Sequence, residues 1–280
     1  MALAKYLFCS FALLMAGCAT MQLPQNLSTA VLDSDDLQTV SDGLPSYLLL
    51  VDALTLTYPK NEQLQLTAAS LNSAYAGVFI PENQSTRRKQ MSLKALQYAF
   101  DAFCLHDKNA CALRELDIEA LAQELPRWNK EKDLPFLYTL GTAWASYIQV
   151  NSDDWLVIAE LGKAEAILKQ VVALQPDYEL GTAQLYLGVM NSILPPSLGG
   201  KPDVARDYYE AALQAGDGKN LIIYVYYASN FARLIFDQEL HDSLLNTALN
   251  LEADVPGYTL QNTFAQKLAR DLLATSNDYF

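Results

Sequence analysis

Histidine, positive charge and strand-like alternation are all scarce in this chain. Two histidines, His106 and His241, occur in 280 residues, too few for the usual tetrahedral zinc sets once the cysteines are spent elsewhere, so no metal and no cofactor is expected. Lys and Arg number 19 against 32 Asp and Glu, a formal charge of −13 at pH 7. Such a field repels phosphate and argues against nucleic acid as a partner. Strands lack support as well, because no sustained period-two alternation occurs and no Asn-Gly or Asp-Gly turn lies between β-branched runs. Catalytic constellations are also missing. Gly199-Gly200-Lys201-Pro202 fails the phosphate-loop pattern, since Pro202 stands where Ser or Thr is required and no strand precedes it. His241-Asp242-Ser243 sets triad residue types side by side, yet a triad is assembled in space and no nucleophile elbow accompanies it. A surface helix start is the better reading, and neither a catalytic residue nor an enzymatic activity is expected.

No apolar run is long enough to span a membrane; the later one at 221–236 contains Asn230 and Arg233 and reads as a buried helix, and the first lies at the N-terminus, where MALAKYLFCSFALLMAGCAT places Lys5 before an apolar stretch from Tyr6 to Ala16. The length and flanks are those of a signal peptide, 1–17, and are too short for a spanning helix. Its end, Met15-Ala16-Gly17-Cys18, resembles the bacterial lipobox, which implies lipidation of Cys18. Ala19 after it resembles lipoproteins sorted to the outer membrane rather than the inner. Residues 18–40 then form a lipidated cysteine and polar tether, with the acidic run Asp33, Asp35 and Asp36 as solvated leash. Residues 41–280 form a single domain in the periplasm. With 51% hydrophobic residues that domain can bury a large core. In an oxidising compartment Cys104 and Cys111, in CLHDKNAC, read as a disulfide, with two reduced buried thiols as the alternative.

Helical periodicity fills the rest of the chain. Helices are expected at about 43–58, 61–79, 84–107, 112–125, 133–150, 153–175, 178–193, 201–215, 220–236, 239–251 and 258–275. They are separated by Pro59, Pro81, Pro126, Pro176, the insert at 195–200 and Pro256. The fold class is all-α. Leu140-Gly141 and Trp144 are followed by Ala164, Leu168, Val171 and Pro176, and Leu187-Gly188 by Ala205, Tyr209 and Ala212. These are tetratricopeptide (TPR) positions at uneven spacing, in which small residues admit a neighbouring helix and a large one fills the hole between them. The expectation is a set of degenerate TPR-like antiparallel helix pairs forming a superhelical bundle or solenoid.

Aromatic residues concentrate at 208–236. The helix over 220–236 is apolar all round, so it must be covered on every side, as an inner solenoid helix, by a partner subunit or by a bound apolar ligand. Pro195-Pro196 and Gly199-Gly200 open the next hairpin with a stiff exit and a tight turn, and Pro202 starts the helix after it.

The lipobox, the TPR-like register, the run from Leu140-Gly141 through Leu187-Gly188 and Leu198-Gly199-Gly200 to Ala205, Tyr209 and Ala212, and the C-terminal Asn262-Thr-Phe-Ala265 with Ala269-Arg-Asp-Leu272-Leu273 together resemble the T-component (TatT) lipoproteins of TRAP transporters, over about 42–275. The resemblance implies a non-enzymatic periplasmic scaffold, a homotrimer that docks a TRAP substrate-binding subunit and carries an apolar pore or groove for a small hydrophobic or organic-acid ligand. On that reading Tyr208, Tyr224, Tyr227 and Phe231 line the groove. Pro195, Pro196, Gly199 and Gly200 shape a docking rim, and Asn262, Ala265 and Ala269 allow close packing of the last helix. The alternative is a TPR-like outer-membrane lipoprotein that scaffolds an envelope assembly without any small ligand. The cysteine pair does not map onto the family pattern.

Overall fold

A computed structural model describes residue 26 and residues 28–280; the expected signal peptide, Cys18 and the first part of the expected tether lie outside the described residues. Regular structure among the described residues is helical throughout. The main helices are α1 (Leu37–Thr57), α2 (Glu62–Val78), α3 (Ser85–His106), α4 (Ile118–Glu124), α5 (Leu134–Val150), α6 (Trp155–Ile158), α7 (Leu161–Leu174), α8 (Thr182–Ser192), α9 (Pro202–Gly216), α10 (Ile222–Tyr226), α11 (Gln238–Asn250), α12 (Thr259–Ala274) and the short α13 (Ser276–Tyr279). Their starts follow local chemistry. The side chains of Asp36, Asn61, Asp117, Asp154 and Asp237 each accept a hydrogen bond from a backbone N–H of the first turn. Such caps satisfy donors that the helix itself cannot.

Several boundaries differ from expectation for identifiable reasons. α1 begins at Leu37 because Asp36 caps it, and Val40 is buried. Residues 37–40 therefore belong to the folded body and not to the tether. Asp33 is no plain leash residue either, since its carboxylate accepts the backbone N–H of Gly257. The expected helix over 112–125 is cut back to α4 by the Asp117 cap. The expected helix over 153–175 breaks at Ala159–Glu160 into α6 and α7. After α10 the chain widens into a π-helical turn, Tyr227–Ala232, where the Arg233 N–H reaches back to the Ala228 carbonyl at 3.2 Å.

Successive helices joined by short turns pack along one another and are therefore antiparallel. α2 packs on α3, α5 packs on both α3 and α7, and α8 packs on both α7 and α9. One core cluster joins α2, α3, α5, α7 and α8 around Trp128, Trp144 and Phe103. A second joins α8 to α12 around Tyr209 and Phe231. Leu140-Gly141 and Leu187-Gly188 mark close approaches between helices. A Cβ on Gly141 would lie 2.7 Å from Leu168 Cδ2, and one on Gly188 would lie 3.1 Å from three ring carbons of Tyr209. Leu140, Trp144, Ala164, Leu168, Val171, Leu187, Ala205, Tyr209 and Ala212 are all fully buried. The first and last long helices also meet: α12 packs against α1, and the Asp33–Gly257 hydrogen bond ties the segment ahead of α1 to the turn ahead of α12.

Cys104 and Cys111 are joined in a disulfide, with Cα atoms 4.3 Å apart. Asp107 inside that loop accepts the Asn109 backbone N–H at 2.9 Å and the Trp128 indole N–H at 3.0 Å. The crosslink thus braces the end of α3 against the Trp128 cluster.

Candidate ligand-binding surface

The structure separates the four aromatic residues expected to line a groove. Phe231 is fully exposed to nothing but protein, at 0%, and Tyr227 is 4% exposed. The Tyr227 ring stacks on Tyr209 with centroids 4.7 Å apart, and Phe231 packs at 5.2 Å from Tyr227 and 6.2 Å from Tyr209. Both are core residues, a correction to the expected lining. The π-helical turn that carries them packs against α8, α9 and α11, so an apolar-all-round helix is covered here by its own chain. Tyr208 and Tyr224 stay half-buried but apart. Tyr208 stands near Lys169 and Glu165 of α7, and Tyr224 near Asp217 in the turn after α9.

The Leu194 to Gly200 insert is an ordered, exposed loop. Gly199 takes a left-handed φ of 94°, and a Cβ on Gly200 would fall 1.7 Å from the Leu194 carbonyl oxygen. Both positions therefore demand glycine. The Lys201 N–H closes the loop onto the Asn191 carbonyl at 3.0 Å, and Leu198 at its tip is 55% exposed.

Asn262 is fully buried. Its Oδ1 accepts the Leu221 N–H at 3.0 Å, while Nδ2 donates to the carbonyls of Lys219 at 2.9 Å and Ala253 at 3.3 Å. Ala265 and Ala269, also fully buried, stand one and two turns further along α12 within the second core cluster. Asn262 thus satisfies the backbone at the start of α10, and the two alanines let α12 approach.

A different group of tyrosines was missed in the sequence. Tyr138 on α5 and Tyr178 in the turn before α8 meet edge to face, centroids 5.2 Å apart. Tyr258, just ahead of α12, donates its hydroxyl to Glu179 Oε2 at 2.8 Å. Tyr186 on α8 accepts from the Ser146 hydroxyl at 3.2 Å. Burial raises the phenols of Tyr138, Tyr186 and Tyr258 above the ordinary tyrosine range, and the Glu179 carboxylate adds to this at Tyr138 and Tyr258. Each of the four residues as a whole is nevertheless half-buried and not sealed in the core. Tyr138, Tyr178 and Tyr186 pack against the edge of the first core cluster and are not sealed within it.

The turn that presents them is unusual backbone. Glu179, Leu180 and Gly181 have φ of 50°, 48° and 79°, three successive left-handed residues of which two carry side chains, a strained arrangement that persists only when its surroundings hold it. The Thr182 hydroxyl donates to the Glu179 carbonyl at 2.6 Å. Asn220 Nδ2 donates to Thr182 Oγ1 at 3.0 Å and to the Leu180 carbonyl at 3.3 Å, and Gln261 Nε2 donates to Asn220 Oδ1 at 2.7 Å. At Gly181 a Cβ would come within 2.8 Å of the Ala212 carbonyl oxygen. Side chains from α8, the start of α10 and α12 therefore brace one turn. Beside it, Tyr178 shares a shallow depression of about 440 Å³ with Glu131, Lys132, Leu134, Pro135 and Gln175. The sequence signal was slight: residues 178–181 read as the first turn of the helix expected over 178–193, which begins instead at Thr182.

Among the described residues no group of three His, Cys, Asp or Glu is placed to hold a metal ion, and no helix is long and apolar enough to cross a membrane. What the fold offers is packed helices with an exposed loop at 195–199 and a cluster of half-buried tyrosines beside a braced turn. The model of the TRAP transporter T-component family matches residues 33–280, and the chain belongs to that family. It is thus a component of a TRAP transport system, working in the envelope with other TRAP subunits and in a transport role rather than a catalytic one. An uncharacterized protein of Treponema pallidum (strain Nichols) is 24% identical over 266 residues, covering 89% of this chain and 81% of the relative.

Proposed function

We propose that this T component is a periplasmic scaffold, anchored to the outer membrane by a lipid on Cys18 after removal of residues 1–17, whose degenerate TPR-like superhelix forms one domain from about residue 37. It works as a homotrimer that docks the substrate-binding subunit of its TRAP system and carries a small organic ligand along its inner surface. The observation that carries the ligand path is the cluster of half-buried tyrosines at 138, 178, 186 and 258. Contact between α12 and α1 supports a superhelix that closes around such a path. Tyr138, Tyr178, Tyr186 and Tyr258 line it, while Tyr208 and Tyr224 lie at its periphery. Tyr227 and Phe231 supply the packing behind them. The TPR-like reading is supported by the Gly141–Leu168 and Gly188–Tyr209 approaches.

Docking is assigned to the rim formed by Pro195, Pro196, Leu198, Gly199 and Gly200, which is ordered and exposed and needs little rearrangement to receive a partner. Native mass spectrometry of the purified protein, alone and with the substrate-binding subunit of the same system, reads trimer, carried ligand and complex together. Deleting 195–199 is expected to lose the complex while far-UV circular dichroism is unchanged; a complex of undiminished affinity would remove the rim from the docking site. Replacing Tyr138 and Tyr186 together by Glu is expected to lose the carried ligand, and retention would refute the lining.

A further inference from the structure

The chemistry of the inner surface bears on what it carries, granted that it is a ligand path. Tyr138 and Tyr178 meet at an interplanar angle of 69°, forming two walls of a corner. Tyr258 reaches the same place by its bond to Glu179 Oε2, and Glu179 is exposed. The charge that bears on Tyr138, Tyr178 and Tyr258 is the negative charge of Glu179. Aromatic faces present negative quadrupole density, and converging rings with a nearby carboxylate recognise cations, quaternary ammonium groups above all. An organic acid would instead need a donor such as a paired arginine.

We propose that the corner formed by Tyr138, Tyr178, Tyr258 and Glu179 binds the ammonium head of an organic amine. The braced left-handed turn supports this, since it fixes Tyr178 and Glu179 together in one geometry before any ligand arrives, and preorganisation of this kind is what a small-ligand site requires. The adjoining depression, with Leu134, Pro135 and Gln175 in its wall and the opposed charges of Glu131 and Lys132, takes the uncharged remainder of the molecule.

The test is calorimetric titration of the purified full-length protein with three probes of similar size: choline, its uncharged tert-butyl carbon isostere, and butyrate. Choline is expected to bind saturably and about tenfold more tightly than the isostere, with butyrate weakest. Glu179→Gln, at an exposed position, should erase that difference. Tyr138→Phe, which keeps the ring, should bind as the parent does, and Tyr138→Leu should lose choline while circular dichroism stays unchanged. Absence of saturable choline binding, equal binding of the isostere or butyrate, or a Glu179→Gln protein with undiminished choline affinity would each overturn the amine assignment. Ligand carried through purification and seen by native mass spectrometry, with choline unbound, would overturn this assignment alone and leave the ligand path standing.

Discussion

Gly141 tests whether the helix pairs are held by close approach. Adding a methyl group there by Gly141→Ala places a carbon 2.7 Å from Leu168 Cδ2, 2.8 Å from Cγ and 3.3 Å from Ile167 Cγ2. Both partners are 0% exposed, so neither can swing aside into solvent. Overpacking of this kind costs about 1–3 kcal/mol. Against it stands a gain of about 1 kcal/mol for replacing a helical glycine by alanine. The net expectation is a loss of about 1 kcal/mol, or a fall of about 2–4 °C in Tm for a domain of this size. Gly43→Ala is the control: it also lies inside a helix, but its added Cβ meets nothing within 4 Å, so only the propensity gain applies and the protein is expected to become more stable.

The decisive measurement is a double-mutant cycle by urea denaturation. Leu168→Ala alone should cost about 2–5 kcal/mol through the cavity it leaves. In that background Gly141→Ala should change sign and stabilise, because the new methyl enters vacated space. Strict additivity of the two changes, or a Gly141→Ala protein stabilised as much as Gly43→Ala, would refute the idea that this glycine exists to admit Leu168.

Further expectations follow from the same kind of contact. Replacing both Cys104 and Cys111 by Ala should lower stability by about 2.5 kcal/mol, the chain-entropy value for so short a loop, read as a shift in urea midpoint without loss of helix signal. Asn262→Ala strands the Leu221 N–H and two carbonyls in the core and should cost about 3 kcal/mol; an effect under about 1 kcal/mol would show that water replaces the side chain. The Asp107 carboxyl is held below its ordinary value first by the Asn109 backbone N–H, with the Asn109 and Trp128 side chains adding to it against burial. Being depressed in the folded state, it contributes stability above its unfolded value of 3.8 and loses it as pH falls through the lower folded one. The stability advantage over Asp107→Asn should therefore be constant at neutral pH and shrink below about pH 4. The enclosed phenols of Tyr138, Tyr209 and Tyr258 are shifted the other way. In an alkaline absorbance titration they should ionise only as the protein unfolds, and smooth titration of every tyrosine near pH 10 in the folded protein would contradict their burial.

Much of the framework was written locally. A capping Asp or Asn, a proline in the first turn and an apolar stripe act within a few residues, so the order of the long helices could be read from the chain, while the breaks inside the expected 153–175 and 220–236 helices could not. The errors fell where a tertiary contact overrode the local signal. Residues 37–40 join α1 because Val40 finds a core to enter. The turn at 179–181 adopts left-handed backbone where Asn220, far along the chain, reaches the Leu180 carbonyl and is itself held by Gln261. The Leu-Gly register and the small-large-small spacing of 164, 168 and 171 and of 205, 209 and 212 were legible for the same local reason, since each lies on one face of one helix. The residues facing them were not.

The site divides along the same line. Composition and periodicity by themselves determined an acidic, all-helical chain with stacking hairpins, a glycine-demanding insert at 195–200 and an aromatic concentration near its C-terminal third. Which aromatic side chains are enclosed by protein and which remain accessible was decided by the tertiary structure. Tyr227 and Phe231 look like lining on a helix apolar all round, but the π-helical turn and Tyr209 bury them. Tyr138, Tyr178, Tyr186 and Tyr258 share no motif and no spacing. They come together because tertiary packing brings α5, the turn before α8, α8 itself and the start of α12 to one place, a juxtaposition that no local pattern encodes.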